Sequence, residues 1–222
     1  MQMLQASDIK RFDNWTCLIY SEPGKGKTTM VKGLKGNTVL LSVDGMYHVL
    51  SSLKNVGIMV IDPRKPTEEL KEFVEWAIKN KDRYDNIVID NLSTYQNYWL
   101  NEASRNNDNG MPRIQDYGII DRITIELIAD LKKLNKNLLI FAHETQVEIT
   151  KTNGGVYTQF QPAIRKCNDV MGIIPLVGRL VIDQEGKRII VLQPTQATKA
   201  KDQLMGDRQF IGQMELLNEL QK

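Results

Sequence analysis

Ser21-Glu22-Pro23-Gly24-Lys25-Gly26-Lys27-Thr28 is the stretch on which the fold reading turns. It follows Thr16-Cys17-Leu18-Ile19-Tyr20, an apolar run of the length of one buried strand. It leads into Lys27 to Lys35, which reads as a helix of about two turns ended near Gly36. Two glycines and a lysine–threonine pair at this spacing make a phosphate-binding loop, with serine where a first glycine usually stands. Gly24 and Gly26 let the backbone curl until its N–H groups face inward around phosphate oxygens. Lys27 brings a point charge to the β and γ phosphates, and Thr28 offers a hydroxyl to Mg²⁺. The following helix aims its positive N-terminus at the same anion. Glu22, Pro23, Lys25 and Thr29 complete the expected cradle, with Lys25 a second positive charge at the loop tip. The first glycine of such loops serves the turn rather than a phosphate contact, so Ser21 leaves binding intact.

Working outward, strands alternate with helices. Thr38 to Val43 and Gly57 to Ile61 read as strands, the second stopped by Asp62-Pro63. Thr67 caps an amphipathic helix whose first turn holds Glu68 and Glu69, and whose apolar face is Leu70, Phe73, Val74, Ala77 and Ile78. Asn86-Ile87-Val88-Ile89-Asp90 is a buried strand ending in a carboxylate, placed to hold Mg²⁺ through water opposite Thr28. Ile120, Ile123, Leu127, Leu131 and Leu134 mark another helix. Leu138 to Ala142 is a further central strand, ending in His143-Glu144. Residues 145–168 are mostly polar around Gly154-Gly155 and read as a loop. Arg179 to Asp183 and Arg188 to Leu192, joined at Gln184-Glu185-Gly186, read as an antiparallel hairpin. A final helix is expected around Met214 to Leu220, within a C-terminal segment 203–222. The fold class is therefore α/β: a mostly parallel central sheet with helices on both faces and a C-terminal antiparallel hairpin. Ligands of such sheets bind beyond the carboxyl ends of the strands, where Gly24, Asp44, Asp90 and His143 fall.

The 222 residues fit one large domain, and no repeat or Pro/Gly/Ser-rich linker divides them. A net charge of +2 gives no gross basic tail, so any nucleic-acid surface has to come from local clustering. Cys17 and Cys167 cannot build a disulfide framework or a four-ligand zinc site, which suits a reducing cytoplasm. No apolar run reaches the ~20 residues of a membrane helix, and residues 1–14 lack the apolar core of a signal peptide. His143-Glu144 begins an H-E-x-x-H pattern, but Val147 stands where the second histidine belongs, so a zinc protease is excluded. Asn135-Lys136-Asn137 lacks the acid of a guanine-recognition motif. The arginine-poor segments 101–116 and 145–168 argue against a small-molecule kinase. His48 reads as structural or exposed, and Cys17 as a buried small hydrophobe.

With these motifs in place the chain resembles the RecA-like ATPase core, and specifically the small phage-encoded RecA-like single-strand annealing proteins, over roughly residues 15 to 205. The resemblance implies ATP and Mg²⁺ as cofactors. Val39 to Asp44 is similar to the strand that delivers the water-activating carboxylate, with Asp44 where the family usually has glutamate. Ile87 to Ser93 is similar to the Walker B segment, with Asp90 its acid. Leu139 to Glu144 is similar to the strand ending in the γ-phosphate sensor, for which His143, Glu144 and Gln146 are candidates. Lys199 and Lys201 look like the lysine pair that such filaments insert into a neighbour's ATP site; on its own, a Lys-x-Lys is an ordinary surface feature.

The resemblance further implies single-stranded DNA as a partner, held by two loops that correspond to residues 101–116 and 145–168. Arg105 and Arg113 in the first, and Lys151, Tyr157, Phe160, Arg165 and Lys166 in the second, suit phosphate neutralisation and base stacking. Tyr157 and Phe160 serve equally as contacts of a short hairpin. The expected function is an ATP-binding recombination protein that promotes annealing or strand exchange with DNA-stimulated hydrolysis. It would work as a homo-oligomer, ring or filament, with ATP at subunit interfaces, in the host cytoplasm if phage-encoded. The alternative is a nucleotide-dependent binding module, such as a helicase loader, that turns over slowly and recruits replication or recombination partners. No membrane association and no appended DNA-binding domain are expected; residues 1–14, with Phe12 as anchor, are a candidate oligomerisation segment.

Overall fold

The computed structural model describes residue 5 and residues 12–151, 154–206 and 208–222. The expectation for residues 1–14 lies largely outside them, although Phe12 packs against the core. Strands β1 (Thr16–Ser21), β2 (Thr38–Ser42), β3 (Val56–Val60), β4 (Asn86–Asp90), β5 (Asn137–Thr150) and β7 (Leu176–Ile182) pair in parallel, in the order β7-β1-β5-β4-β2-β3. On the β7 side, β8 (Arg188–Val191) and β10 (Phe210–Gly212) continue the sheet antiparallel. Short β9 (Lys201–Asp202) also pairs β7, and β6 (Val156–Pro162) pairs β5, with Phe160 bridging Thr198 as well.

Alternation along the central strands divides the core in two. Leu18 and Tyr20 of β1, Ile87 and Ile89 of β4, and Leu138 and Ile140 of β5 face one side. There they meet α1 (Pro66–Lys79), α2 (Leu92–Arg105), α3 (Ile114–Lys132) and the short α4 (Cys167–Gly172) through Phe73, Tyr95, Ile120, Leu127 and Val170. Cys17, Ile19, Val88, Leu139 and Phe141 face the other side, against α5 (Gln213–Leu220) and the segment after the phosphate loop. Strands buried on both faces need near-continuous apolar sequence, which is how these read. The expected α/β sheet with helices on both faces is present, with four helices on one side and a thinner cover on the other.

Three local expectations are corrected. Thr67 does not cap its helix: α1 begins at Pro66 with Lys65 at the N-cap, Thr67 Oγ1 donates to Glu102 instead, and Ile78 is exposed rather than on the apolar face. The helix expected from Lys27 to Lys35 is a 3-10 helix over Thr28–Gly33, with Met30 N–H donating to Lys27 O at 2.9 Å and Leu34 N–H to Val31 O at 3.1 Å. Three β-branched residues in this stretch disfavour a longer α-helix. Gly33 lies so close to α5 that a Cβ there would stand 2.9 Å from Met214 Cε. The loop expected over residues 145–168 is instead an antiparallel arm: β5 runs on past the sheet to Thr150 and turns back as β6, in register from Glu144 opposite Pro162 to Thr150 opposite Val156.

Candidate nucleotide site

The phosphate loop leaves β1 at Ser21 and turns through Gly24 (φ +77°) and Gly26 (φ +102°), conformations that only glycine adopts without strain. A Cβ on Gly26 would also stand 3.0 Å from Arg188 Nε and 3.2 Å from Gln213 Nε2. Those two side chains tie the loop from behind. Arg188 Nε donates to Lys25 O at 3.0 Å and Gln213 Nε2 to Gly26 O at 2.7 Å. At the tip, Glu22 and Lys25 form a loose, exposed pair at 3.3 Å, of little energetic weight.

Lys27 is 7% exposed, and its Nζ donates to Ser21 O and Ser21 Oγ, both at 3.0 Å, and to Glu22 O at 3.1 Å. The serine that replaces the usual glycine thus supplies a hydroxyl to the ammonium. Burial lowers the Lys27 pKa, while Asp90, Asp44 and Glu144 act to raise it from a distance. Among the described residues the buried ammonium has only neutral oxygens as direct partners, a setting that favours an incoming anion.

Thr28 Oγ1 donates to Asp90 Oδ2 at 2.5 Å. Asp90 is 2% exposed at the end of β4, and its pKa stands at about 6. Burial is the main cause and Asp44 adds to it; the Thr28 hydrogen bond and Lys27 oppose it. A buried carboxylate in this condition, beside a hydroxyl, offers hard oxygen donors that fit Mg²⁺. Thr28 and Asp90 would hold the metal, which when bound with nucleotide would neutralise charge on the phosphoryl oxygens.

Asp44 and His143 complete the cleft. Asp44 Oδ1 accepts from Met46 N at 3.1 Å, and Asp44 Oδ2 accepts from Asn91 Nδ2 at 2.9 Å. His143 stands at the point where β5, lodged between β1 and β4, leaves the sheet; its backbone N–H donates to Ser93 Oγ at 3.0 Å. Burial, then the Lys27 charge, lower the His143 pKa, with Asp44 opposing them, so the imidazole is neutral at pH 7. The cleft between these groups measures about 510 Å³ and is lined by the phosphate loop, Asp44, Asp90 and His143, with Met46 and Val49 as an apolar wall. That volume suits a small-molecule ligand.

A family model described as AAA domain matches residues 13–204. The chain belongs to the AAA-domain family. No curated protein matches it. The AAA domain is a P-loop ATPase type. Among the described residues, no helix is long and apolar enough to cross a membrane.

Other expected site residues lie elsewhere in this AAA domain. Of the sensor candidates, His143 lines the cleft. Glu144 is instead locked to Arg179 by bonds of 2.7 and 3.0 Å, and Gln146 is exposed on the arm. Lys199 Nζ donates to Gln161 Oε1 at 3.0 Å, and Lys201 Nζ donates to Met171 O at 3.0 Å and Gly172 O at 3.2 Å, the carbonyl end of α4. Arg105 ends α2 and donates to Arg64 O at 2.9 Å, while Arg113 immediately precedes α3. Arg165 is bound to Asp121 at 2.8 and 3.1 Å and stacked on Tyr117; Lys166 is exposed. Lys151 and Tyr157 meet on the arm, 5.3 Å from ammonium to ring centroid, whereas Phe160 lies beneath Arg179 at 3.5 Å, close to the sheet.

Asn91, Ser93, Arg188 and Gln213 belong to the site, and the sequence alone does not single them out. Asn91 carries one readable signal: an asparagine between a strand-end acid and a helical segment is a strong N-cap. Arg188 and Gln213 reach the loop from more than 160 residues away, and no local pattern announces such a contact.

Proposed function

We propose that the protein is a RecA-like, ATP-binding recombination protein that binds single-stranded DNA and promotes strand annealing or exchange, with DNA stimulating hydrolysis. The carrying observation is the path of β5. The same strand supplies His143 to the nucleotide cleft and runs on into the arm that bears Lys151 and Tyr157. From His143 to Thr150 an extended strand covers ~25 Å. A cation and an aromatic ring on the arm suit phosphate contact and base stacking. In this reading Lys27, Thr28 and Asp90 bind Mg·ATP, Asp44 polarises water and His143 responds to the γ-phosphate. Assembly into a ring or filament brings Lys199 and Lys201 to a neighbour's phosphates, for which they must leave Gln161 and the α4 carbonyls. Steady-state hydrolysis with and without a single-stranded oligonucleotide tests this. Stimulation of about tenfold or more is expected; indifference to DNA together with no oligonucleotide retained on a filter refutes it.

One observation favours a second reading. Both Asp44 oxygens are already hydrogen-bonded, to Met46 N and Asn91 Nδ2, and aspartate is one methylene shorter than glutamate. A slow-turnover module that recruits a replication or recombination protein follows from that. Tight ATP binding without DNA-stimulated hydrolysis, and co-purification of a replication protein, would select it.

A further inference from the structure

Asn91 is wholly buried directly after Asp90, and every polar atom of its side chain is engaged. Its Oδ1 accepts from Thr94 N at 2.8 Å, capping α2. A backbone N–H can only donate, so this contact fixes which end of the amide is oxygen. The NH₂ end then lies 2.9 Å from Asp44 Oδ2 and 3.1 Å from His143 Nε2. A carboxylate oxygen only accepts, which fixes the same orientation from the other side. Both amide hydrogens point at acceptors, so His143 Nε2 has to present its lone pair. A neutral imidazole whose Nε2 accepts carries its proton on Nδ1.

His143 Nδ1 is buried and has no partner among the described residues. A buried unmet N–H is unfavourable, and the opposite tautomer would avoid it by turning Nδ1 into an unprotonated acceptor. Thr94 Oγ1, at 3.4 Å from Nε2, is too distant to reward that change while the Asn91 NH₂ stands closer.

We infer that Asn91 is a positioning residue that links Asp44 to His143 and holds the His143 imidazole in its Nδ1–H tautomer, leaving that N–H as an unmet donor beside the nucleotide cleft. The inference rests on the nucleotide reading of the cleft only for its consequence in turnover; the tautomer belongs to the ligand-free protein. An unmet donor gives the ring a reason to shift when an anionic terminal phosphate arrives. Asn91 ties any such shift to Asp44, so the two respond together.

The chain has two histidines, which makes the test clean. Imidazole ¹⁵N–¹H correlation spectra of the ligand-free protein at pH 8 should show one ring as Nδ1–H (His143). The exposed His48 should show the solution mixture dominated by Nε2–H. Asn91→Asp keeps the acceptor that caps α2 and replaces the NH₂ by a carboxylate oxygen that only accepts, so it should place a proton on His143 Nε2. The same variant should lose about tenfold or more in ATP turnover, a larger factor than it loses in Mg·ATP affinity by calorimetry. A wild-type His143 in the Nε2–H form overturns the inference. So does an Asn91→Asp variant with unchanged turnover. Calorimetric silence of the wild type toward Mg·ATP would instead refute the nucleotide reading, and would be seen separately from the imidazole spectrum.

Discussion

Asp90 places a carboxyl at 2% exposure with its pKa raised from an ordinary 3.8 to about 6. A carboxyl whose folded pKa lies above its unfolded one favours folding most at low pH. That contribution is lost as pH rises through 6 and amounts to about 3 kcal/mol by pH 8. Asp90→Asn removes the charge, so the ligand-free variant should melt higher than wild type at pH 8, with a smaller gain at pH 5; a variant that melts lower at pH 8 contradicts this. In the proposed function the same group would have to ionise to hold Mg²⁺. Mg·ATP affinity of the wild type should therefore fall as pH drops below about 6, and Asp90→Asn should abolish the Mg²⁺ dependence of nucleotide affinity measured by calorimetry. Lys27, Thr28 and Asp90 are legible in the sequence from spacing alone, because each side chain has a single chemical use at its position. Ser21 and Asn91 are not, because their roles lie in which neighbours they bond, and those neighbours come from other parts of the chain.

The arm formed by β5 and β6 is fastened to the sheet at its base. Tyr20 Oη, on the strand that enters the phosphate loop, shares its proton between Lys199 O at 2.7 Å and Phe160 O at 3.1 Å. Arg179 bonds Glu144 and covers the Phe160 ring. Tyr20→Phe should cost about 1 kcal/mol and speed amide exchange over residues 156–160, with the central strands unchanged. Arg179→Ala leaves Glu144 buried without its partner and should cost about 3–5 kcal/mol in chemical denaturation. Removing both charges together should cost less; equal losses would show that the pair does not act as one. The sequence of this element is only half readable. Gln146-Val147-Glu148-Ile149-Thr150 does alternate polar with apolar, as a half-buried strand should, but β6 sets Gln159 opposite Val147 and Gln161 opposite Thr145, so polar side chains interrupt the apolar face and the pairing is not announced. Its order comes from backbone pairing and from anchors on β1, β7 and the segment 195–199, which bonds Phe160, Gln159 and Lys151.

Across the whole molecule, the sheet brings together groups that the chain keeps far apart. β5 inserts between β1 and β4, so the phosphate loop, Asp90 and His143 converge at one edge from segments more than 50 residues distant from one another. The α/β class is legible because the central strands are apolar on both faces and alternate with amphipathic helices. Strand order is not, since side-chain pattern does not say which neighbour a buried strand takes. The C-terminal part, Phe210 to Leu220, lies beyond the residues matched by the family model yet packs Leu216, Leu217 and Leu220 into the core and ties Gly26 through Gln213. Gln213→Ala should accordingly weaken nucleotide binding several-fold by calorimetry while the far-ultraviolet circular dichroism stays that of the wild type; unchanged affinity would deny the tether a functional part. All of this presupposes that the cleft takes a nucleotide. Titrating Mg·ATP into the wild type and into Lys27→Ala by calorimetry tests that most directly: binding at one nucleotide per chain, weakened about 100-fold or more by the substitution, is predicted. No heat with the wild type, or equal affinity in the variant, would contradict it.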